Sequence, residues 1–402
     1  MKRLRDDFLL AFATAILFSA FIYLAEYRVV LPLVNSLLGV GALALMLYIP
    51  KRAVLIAGFL IGLFWFYWIG YSFEYQGVGY MTPIVTFGFG VVYMLFFAPL
   101  AFTNKPYIRA VLLFGLSFVE PFDWNWMKIE LLFVDSYFGI FKYQLAIILA
   151  ALSLPSLIPE KRYKWLFLLL LVFAIQTDYT QPDKVPLKIK LVQTDVLQEK
   201  KWLPSELYPT MFMIFREIQH AIDEEYDVVV LPESVFPLFM NKVPKIENKL
   251  KELSHKITIV AGALLFENNK NYNVTYVFEN GKVQIAKKLV LVPFGEYIPL
   301  PKFAQKFIND TFFSGASDFV TAKHPTDLNI KGMKFRNAIC YEATCDEIYT
   351  GDVKYVIAIS NNAWFAPSIE PTLQRLLMKF YARKYGVIIY HSANYKGSGV
   401  VQ

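Results

Sequence analysis

The 402-residue sequence is poor in charge, cysteine and histidine. Charged residues make up 18% of it, against about 25% in soluble domains. Its two cysteines, Cys340 and Cys345, are too few for a disulfide framework or a four-thiolate zinc site. The four histidines lack the spacing of metal ligands; they are His220, His255, His324 and His391. We therefore expect no metal and no cofactor.

The chain is instead rich in apolar residues. Hydrophobic residues make up 56% and aromatic residues 17%, with a mean hydropathy of +0.40, which excludes a disordered chain and an ordinary soluble enzyme. Charge is unevenly distributed, because residues 1 to 185 hold 25 of the 73 acidic and basic side chains. The net charge of +7 is not concentrated in one part, so no nucleic-acid partner is expected. We expect a membrane-embedded first part and a globular second part.

The first part contains seven apolar runs of roughly the 20 residues that a membrane-spanning helix needs. The fifth and seventh runs are the shortest. The first run could instead be a signal peptide, but further spans follow and no small-residue cleavage site is evident. The runs are Phe8 to Leu24, Val29 to Ile49, Ala53 to Phe73, Met81 to Phe102, Ala110 to Val119, Ser136 to Leu154 and Trp165 to Ile175.

The distribution of lysine and arginine predicts the orientation of these spans. With the amino terminus inside, the inner loops hold ten basic residues and the outer loops three. Seven spans then bring the chain to the outer face at Asp178, whereas six would leave the globular part in the cytoplasm. The predicted division is a transmembrane domain over 1–178, a linker over 179–187 and a globular domain over 188–402.

One outer loop, Glu120 to Glu130, is unusual because it holds three acids and two tryptophans between two spans. The tryptophans could form an interfacial aromatic belt. The loop could equally take part in lipid or substrate access.

In the globular part, short β-branched runs alternate with helical patterns, which predicts an α/β layer fold. The predicted strands include apolar runs that suit a buried sheet. They are Ile189 to Gln193, Val228 to Leu231, Ile257 to Leu265, Tyr272 to Phe278 and Tyr355 to Ser360. The predicted helices are Glu206 to Asp223, Pro244 to His255 and Pro371 to Tyr385.

Three segments place reactive side chains at strand ends, where α/β sheets bind their ligands. Glu233 follows the buried run Val228 to Leu231, Lys287 and Lys288 precede an apolar run that closes at Glu296, and Cys340 ends a third strand. Each signal is weak alone, because an acid at a strand end is often a cap and a buried cysteine is often inert.

Together, five motifs in chain order resemble the nitrilase superfamily and, more closely, its membrane-bound branch, the apolipoprotein N-acyltransferases. They are Leu191-Val192-Gln193 with Trp202 following, Leu231-Pro232-Glu233-Ser234, Leu291-Val292-Pro293-Phe294-Gly295-Glu296, Ile339-Cys340-Tyr341-Glu342 and Ile359-Ser360-Asn361-Asn362-Ala363-Trp364-Phe365. The resemblance implies a nitrilase-like four-layer αββα sandwich. It also implies a bacterial inner-membrane protein whose catalytic domain is periplasmic.

The resemblance also implies roles for individual residues. Glu233 would be the general base, Lys288 the triad lysine and Cys340 the nucleophile, with Lys287 as the close competitor for Lys288. The accessory or substrate-binding residues would be Glu296, Tyr341, Glu342 and Trp364. Two departures stand out: the final strands and last transmembrane helix of the family are expected to be missing, and the loop at Glu120 to Glu130 lacks the family's basic pattern.

The implied reaction moves an acyl chain from a membrane phospholipid, through a Cys340 thioester, to the α-amino group of a diacylglyceryl-modified cysteine at the amino terminus of a lipoprotein. A thiol suits such a two-step transfer. The alternative enzyme is a membrane-tethered nitrilase-type amidase. A transporter with an inactive domain is disfavoured, because the spans hold few charges in mid-membrane.

Overall fold

The structure is a computed structural model that describes residues 2–75, 77–293, 296 and 319–402. It divides into two compact units, Met1–Tyr179 and Thr180–Gln402. The expected motif residues Phe294 and Gly295 lie outside the described residues.

The first unit is helical. Three helical stretches among the described residues are long and apolar enough to cross a membrane, namely Arg3–Glu26, Lys51–Tyr75 and Gly79–Phe102. Shorter apolar helices cover three further predicted runs, and the seventh is a 3-10 helix over Lys161–Ala174. The count of seven spans stays a prediction. The α-helices are α1 Lys2–Glu26, α2 Pro32–Tyr48, α3 Lys51–Phe66, α4 Ser72–Tyr75, α5 Thr82–Phe97, α6 Pro106–Leu116 and α7 Lys142–Ser153.

Glycine determines how closely α3 and α5 pack. A Cβ atom built on Gly58 would lie 2.9 Å from the carbonyl oxygen of Tyr93, and one on Gly62 would lie 2.7 Å from that of Phe89. Both contacts are closer than real Cβ atoms tolerate, so only glycine allows the two backbones to approach this far. Small residues at helix contacts are typical of membrane proteins.

The loop Glu120 to Glu130 buries its tryptophans inside the first unit. Trp124 is 6% exposed and Trp126 2%, and their ring centroids lie 5.2 Å apart. Trp126 also packs against Trp68 at 5.3 Å. This packing favours a role in the protein core over the interfacial belt considered from the sequence, because an interfacial ring keeps one edge in water.

The second unit contains two five-stranded sheets with helices outside them. The first sheet has the order β1-β2-β3-β4-β5 and the second the order β10-β9-β8-β7-β6. Among the described residues of this unit, the α-helices are α8 Gln198–Lys201, α9 Pro204–Asp223, α10 Pro244–Leu253 and α11 Glu370–Tyr385. The strands are β1 Ile189–Leu191, β2 Val228–Val230, β3 Thr258–Glu267, β4 Lys270–Glu279, β5 Lys282–Lys287, β6 Asp327–Ile330, β7 Met333–Ile339, β8 Tyr355–Asn361, β9 Ile388–Asn394 and β10 Gly399–Val401.

The layers are held together by two hydrophobic clusters. One cluster joins inward-facing residues of both sheets, such as Val260 of β3 and Ile357 of β8. The other joins the outer face of the first sheet to α9 and α10, through residues such as Ile218 and Leu250. Burying the apolar faces of two sheets against each other, with helices outside, gives the layered fold. The predicted nitrilase-like α/β fold is confirmed.

Strand β9 shows why the sequence pattern missed part of the second sheet. All seven residues of β9 are buried, yet His391, Ser392 and Asn394 are polar. They are hydrogen-bonded inside the fold: His391 Nε2 contacts Ser360 Oγ at 2.8 Å, and Asn394 Nδ2 donates to Asn361 Oδ1 at 2.8 Å. A buried strand that satisfies its own polar groups lacks the continuous apolar run that predicts burial.

Candidate active site

The three sequence-predicted strand ends meet in the second unit. Glu233 follows β2, Lys288 follows β5 and Cys340 follows β7. The Lys288 Nζ atom lies 3.7 Å from Glu233 Oε1 and 2.8 Å from Glu296 Oε2. Lys288 is 1% exposed, and a buried ammonium group needs such partners. The lysine therefore lies between two carboxylates that the sequence places 63 positions apart.

The structure distinguishes the two adjacent lysines. Lys287 points to the surface, where its ammonium group pairs with Glu267 and lies 4.1 Å from the ring centroid of Tyr272. Lys288, one position later, faces the interior beside Glu233. Successive strand residues point to opposite faces, so only one of the pair can reach the carboxylates.

Glu233 is held by contacts that the sequence did not indicate. The Asn273 side chain on β4 donates from Nδ2 to Glu233 Oε1 at 2.8 Å, and the Lys201 ammonium donates to the Glu233 carbonyl oxygen at 3.0 Å. Gly262 on β3 packs directly beneath, since a Cβ there would lie 2.7 Å from the Glu233 Cα. These contacts fix both the backbone and the carboxylate of Glu233.

Glu342 ties the cysteine segment to the lysine segment. Its Oε1 accepts from the backbone N–H groups of Leu289 and Val290, directly after Lys288. Its Oε2 accepts from the N–H of Ile339, directly before Cys340, at 2.5 Å. Burial raises the pKa of Glu342 to about 7, against the opposing effects of Lys288 and these N–H groups. One carboxyl group thus connects the strand ends that carry the two reactive side chains.

Cys340 occupies a left-handed backbone position at the end of β7, with φ of 58°. Non-glycine residues adopt this region at a cost, and such positions often occur at functional sites. Removal of its thiol from water raises the pKa well above the usual value, Glu233 raises it further and Lys288 opposes the shift. The thiol is therefore protonated at rest. Cys345 is buried, with Sγ 3.4 Å from the Tyr341 carbonyl oxygen.

Burial lowers the pKa of both lysines of the site, but their net pKa shifts are opposite. Burial lowers the pKa of Lys201 to about 8, although Glu233 and Cys340 oppose this shift. Burial also lowers the pKa of Lys288, but the charges of Glu296, Glu233 and Cys340 outweigh this effect, so that its pKa is raised. Lys288 therefore keeps its charge across the physiological range because carboxylates contact its ammonium group.

The remaining predicted residues surround this cluster less directly. Tyr341 follows Cys340 and is buried, and Trp364 is half-buried in the 3-10 turn Asn362–Phe365 after β8. Neither position alone assigns a role. In the described part of the chain, no group of three or more histidine, cysteine, aspartate or glutamate side chains could hold a metal ion.

Four residues of this site were not among the predicted ones: Lys201, Gly262, Asn273 and Glu370. Glu370 begins α11 and is 1% exposed; burial and then Glu233 raise its pKa, and a charge on Glu370 would raise the pKa of Cys340. In sequence, an acid in the first turn of a helix indicates only a favourable interaction with the helix dipole. A lysine directly before the Trp202 of the first motif was the one available signal for Lys201.

Comparison with known proteins identifies both units. Residues 5–177 match the family model of the apolipoprotein N-acyltransferase integral membrane domain, and residues 189–389 match that of carbon-nitrogen hydrolases. Proteins named apolipoprotein N-acyltransferase are similar over most of this chain. The one from Wolinella succinogenes is 41% identical, covering 96% of this chain and 94% of its own length. The one from Helicobacter pylori is 35% identical, covering 97% and 95%.

Solved structures of the carbon-nitrogen hydrolase type resemble the second unit more distantly. A CN-hydrolase superfamily protein from Xanthomonas campestris is 15% identical, with a TM-score of 0.40, and the match covers 52% of this chain and 76% of that one. An amidase from Nesterenkonia sp. is also 15% identical, with a TM-score of 0.39 and coverage of 53% and 78%.

Proposed function

The chain belongs to the apolipoprotein N-acyltransferase family, and we propose that it transfers an acyl chain from a membrane phospholipid to the α-amino group of a lipoprotein's diacylglyceryl cysteine. The observation that carries the proposal is Lys288, which is buried between the carboxylates of Glu233 and Glu296 at the strand ends that meet Cys340. We assign Cys340 as nucleophile, Glu233 as general base and Lys288 as the cation that faces the developing oxyanion.

In the first half-reaction, Glu233 takes the thiol proton of Cys340 while sulfur attacks the ester carbonyl carbon. The carbon–oxygen bond breaks, and the proton passes from Glu233 to the departing oxygen of the lysophospholipid. The raised pKa of the Cys340 thiol supports this order, because a protonated thiol needs a base at the moment of attack. The product is a thioester on Cys340.

In the second half-reaction, the amine nitrogen attacks the thioester carbonyl carbon and the carbon–sulfur bond breaks. Glu233 transfers a proton from nitrogen to the departing sulfur, which restores the thiol. In both steps the carbonyl oxygen gains charge beside the Lys288 ammonium group. A correctly placed donor of this kind typically contributes about 10²–10³ in rate.

The surroundings of Lys201 support an apolar substrate. Large side chains next to it in sequence are exposed rather than buried: Leu197, Trp202 and Leu203 are each close to half exposed. Exposed apolar side chains close to a reactive site suit an acyl chain better than a small polar amide. This observation favours the acyltransferase over the membrane-tethered amidase, which would use the same triad.

We also propose that the protein is an inner-membrane protein whose second unit faces the periplasm. The support is the lysine and arginine bias of the loops. Reporter fusions at Arg162 and Asp183 should report opposite sides of the membrane. Two cytoplasmic signals would contradict both the orientation and the lipoprotein substrate.

The direct test is the acyl-enzyme. We expect the purified protein, incubated with phospholipid in detergent, to gain the mass of one acyl chain on the peptide that contains Cys340. The Cys340→Ser variant should gain none, because a hydroxyl has a far higher pKa than a thiol. The matched control is Cys345→Ala, since Cys345 is a buried thiol whose Sγ contacts the Tyr341 carbonyl oxygen. An adduct that persists in Cys340→Ser but disappears in Cys345→Ala would overturn the assignment.

A further inference from the structure

Glu370 is a buried acid that the proposed reaction leaves without a role. It opens α11, which packs against the 3-10 turn Cys340–Thr344, and its side chain is 1% exposed. Its Oε2 atom is completely buried and has no hydrogen-bond partner among the described residues. A buried carboxyl oxygen in this state costs free energy that some gain elsewhere must offset.

The other acids of the cluster each have a donor. Glu233 accepts from Asn273, Glu296 accepts from Lys288, and Glu342 accepts from backbone N–H groups. The lysines are also engaged, because Lys288 contacts Glu233 and Glu296 and Lys201 donates to the Glu233 carbonyl oxygen. Within the described residues, the cluster thus contains more acids than cations. Its buried polar atoms without a partner are the Oε2 atom of Glu370 and the amide oxygen of Asn273, and of these two only the carboxyl oxygen can carry a charge.

The position of Glu370 relates it to the reacting atoms. It begins the helix that packs against the turn Cys340–Thr344, and it lies close enough to Glu233 and Cys340 for its ionised form to interact with theirs. Glu233 and Cys340 are the two groups that exchange a proton in both half-reactions. A cation that enters this site beside Cys340 would therefore find an unused acceptor. The acceptor substrate of the proposed reaction brings one, because an α-amino group with a pKa of about 7.7–8.0 is largely an ammonium group at neutral pH.

We propose that Glu370 binds the α-ammonium group of the acceptor, takes its proton and so presents a neutral amine to the thioester. The inference rests on the proposed function. In the empty site burial, and then the charge of Glu233, raise the pKa of Glu370 well above its usual value and so favour its neutral form. When the ammonium group enters, Glu370 releases its proton to solvent, and the resulting carboxylate pairs with the ammonium group. The ammonium proton then moves to Glu370, the amine attacks, and the second nitrogen proton reaches sulfur through Glu233.

This assignment predicts a selectivity that the triad alone does not provide. Water could donate a hydrogen bond to this oxygen but brings no charge, whereas an ammonium group supplies the missing cation. Glu370 would thus favour aminolysis of the thioester over its hydrolysis. The groups that face Glu370 and share its pH dependence are Glu233 after β2 and Cys340 after β7.

The first test is binding without phospholipid, so that no acyl-enzyme forms. The probe is a synthetic peptide with an S-diacylglyceryl cysteine and a free α-amino group, compared with its N-acetylated form. Calorimetry at pH 7 in buffers of different ionisation enthalpy should show proton release for the free amine with the wild-type protein, and none with Glu370→Gln. The N-acetylated peptide should release none with either protein. Equal proton release by wild type and Glu370→Gln overturns the proposal.

The second test separates the half-reactions. For Glu370→Gln we expect the acceptor KM of aminolysis to rise about tenfold or more, while thioester formation changes less than about threefold. Glu370→Asp should restore proton release, and the control Glu347→Gln removes an exposed acid from a neighbouring turn. Equal losses in both half-reactions would show a structural role and overturn the proposal. Failure of the proposed function would instead appear as a missing Cys340 adduct in the wild-type protein.

Discussion

The two units each bury a basic side chain, and they use it differently. In the first unit, Arg109 is 1% exposed and donates only to main-chain oxygens. Its Nε contacts the carbonyl oxygens of Leu100 and Thr103 at 2.9 Å, and its Nη1 contacts that of Ile49 at 2.6 Å. In the second unit, Lys288 is equally buried, but its partners are the carboxylates of Glu233 and Glu296.

The chemistry of the partners explains the difference. The carbonyl groups around Arg109 belong to the ends of helical segments, which have unsatisfied oxygens and partial negative charge. They cannot take up a proton, so Arg109 can only hold these ends together. Carboxylates can exchange protons, and a cation among them shifts their equilibria. Whether a buried cation has a structural or a chemical role therefore depends on the groups that contact it.

The largest effect expected from this comparison is at Lys288. Lys288→Met should slow thioester formation by about 10² or more, because the cation facing the oxyanion is lost. The matched control is Lys287→Met, which removes a surface ion pair with Glu267 and should change the rate less than about twofold. Adduct formation followed by mass spectrometry, with circular dichroism for folding, measures both. A dead Lys287→Met beside an active Lys288→Met would reverse the assignment.

Arg109 should show the opposite pattern. Arg109→Met leaves four carbonyl oxygens without this donor, in three buried contacts and one part-buried contact, so we expect a loss of about 3 kcal/mol in the stability of the first unit. Thioester formation per folded molecule should change little. Thermal unfolding in detergent measures the first quantity and adduct formation the second. A stable but inactive Arg109→Met would show that Arg109 does not have the structural role that distinguishes it from Lys288.

The smallest effect concerns Lys201, whose pKa is lowered to about 8. An unfolded lysine titrates near 10.4, so between about pH 8 and 10 the unfolded chain binds more protons and stability rises with pH. The Lys201 contribution should therefore grow across this window, by a few degrees in melting temperature. Lys201→Met should lack that contribution. An identical pH dependence in both proteins would contradict the lowered pKa.

Local sequence patterns correctly predicted many strands and helices of the second unit. The predicted strand Tyr355 to Ser360 matches β8 within one residue, and the predicted helix Pro371 to Tyr385 misses only the first residue of α11. Apolar runs and helical periodicity are local properties, and tertiary contacts here reinforce them. The missing first residue is Glu370, which the structure places at the reactive cluster.

The site was partly predictable for a different reason. Glu233, Lys288 and Cys340 stand in motifs that resemble a known family, and the structure brings their strand ends together. Lys201, Gly262 and Asn273 had no comparable pattern, because each acts through a contact with Glu233 across 29 to 40 positions of sequence. From the sequence, the two tryptophans of the loop Glu120 to Glu130 could have formed an interfacial belt. Their burial, which the structure shows, favours a role in the protein core.

The sequence by itself determined the division into an apolar and a globular part, the α/β character of the latter and the three strand ends with reactive side chains. These follow from composition, periodicity and motif, which are read along the chain. Only the tertiary structure decided which lysine faces Glu233, that Glu342 joins two strand ends, and that the Oε2 atom of Glu370 is buried without a hydrogen-bond partner among the described residues. Each depends on distances and solvent exclusion between segments far apart in sequence, and these set the charge state of a buried group.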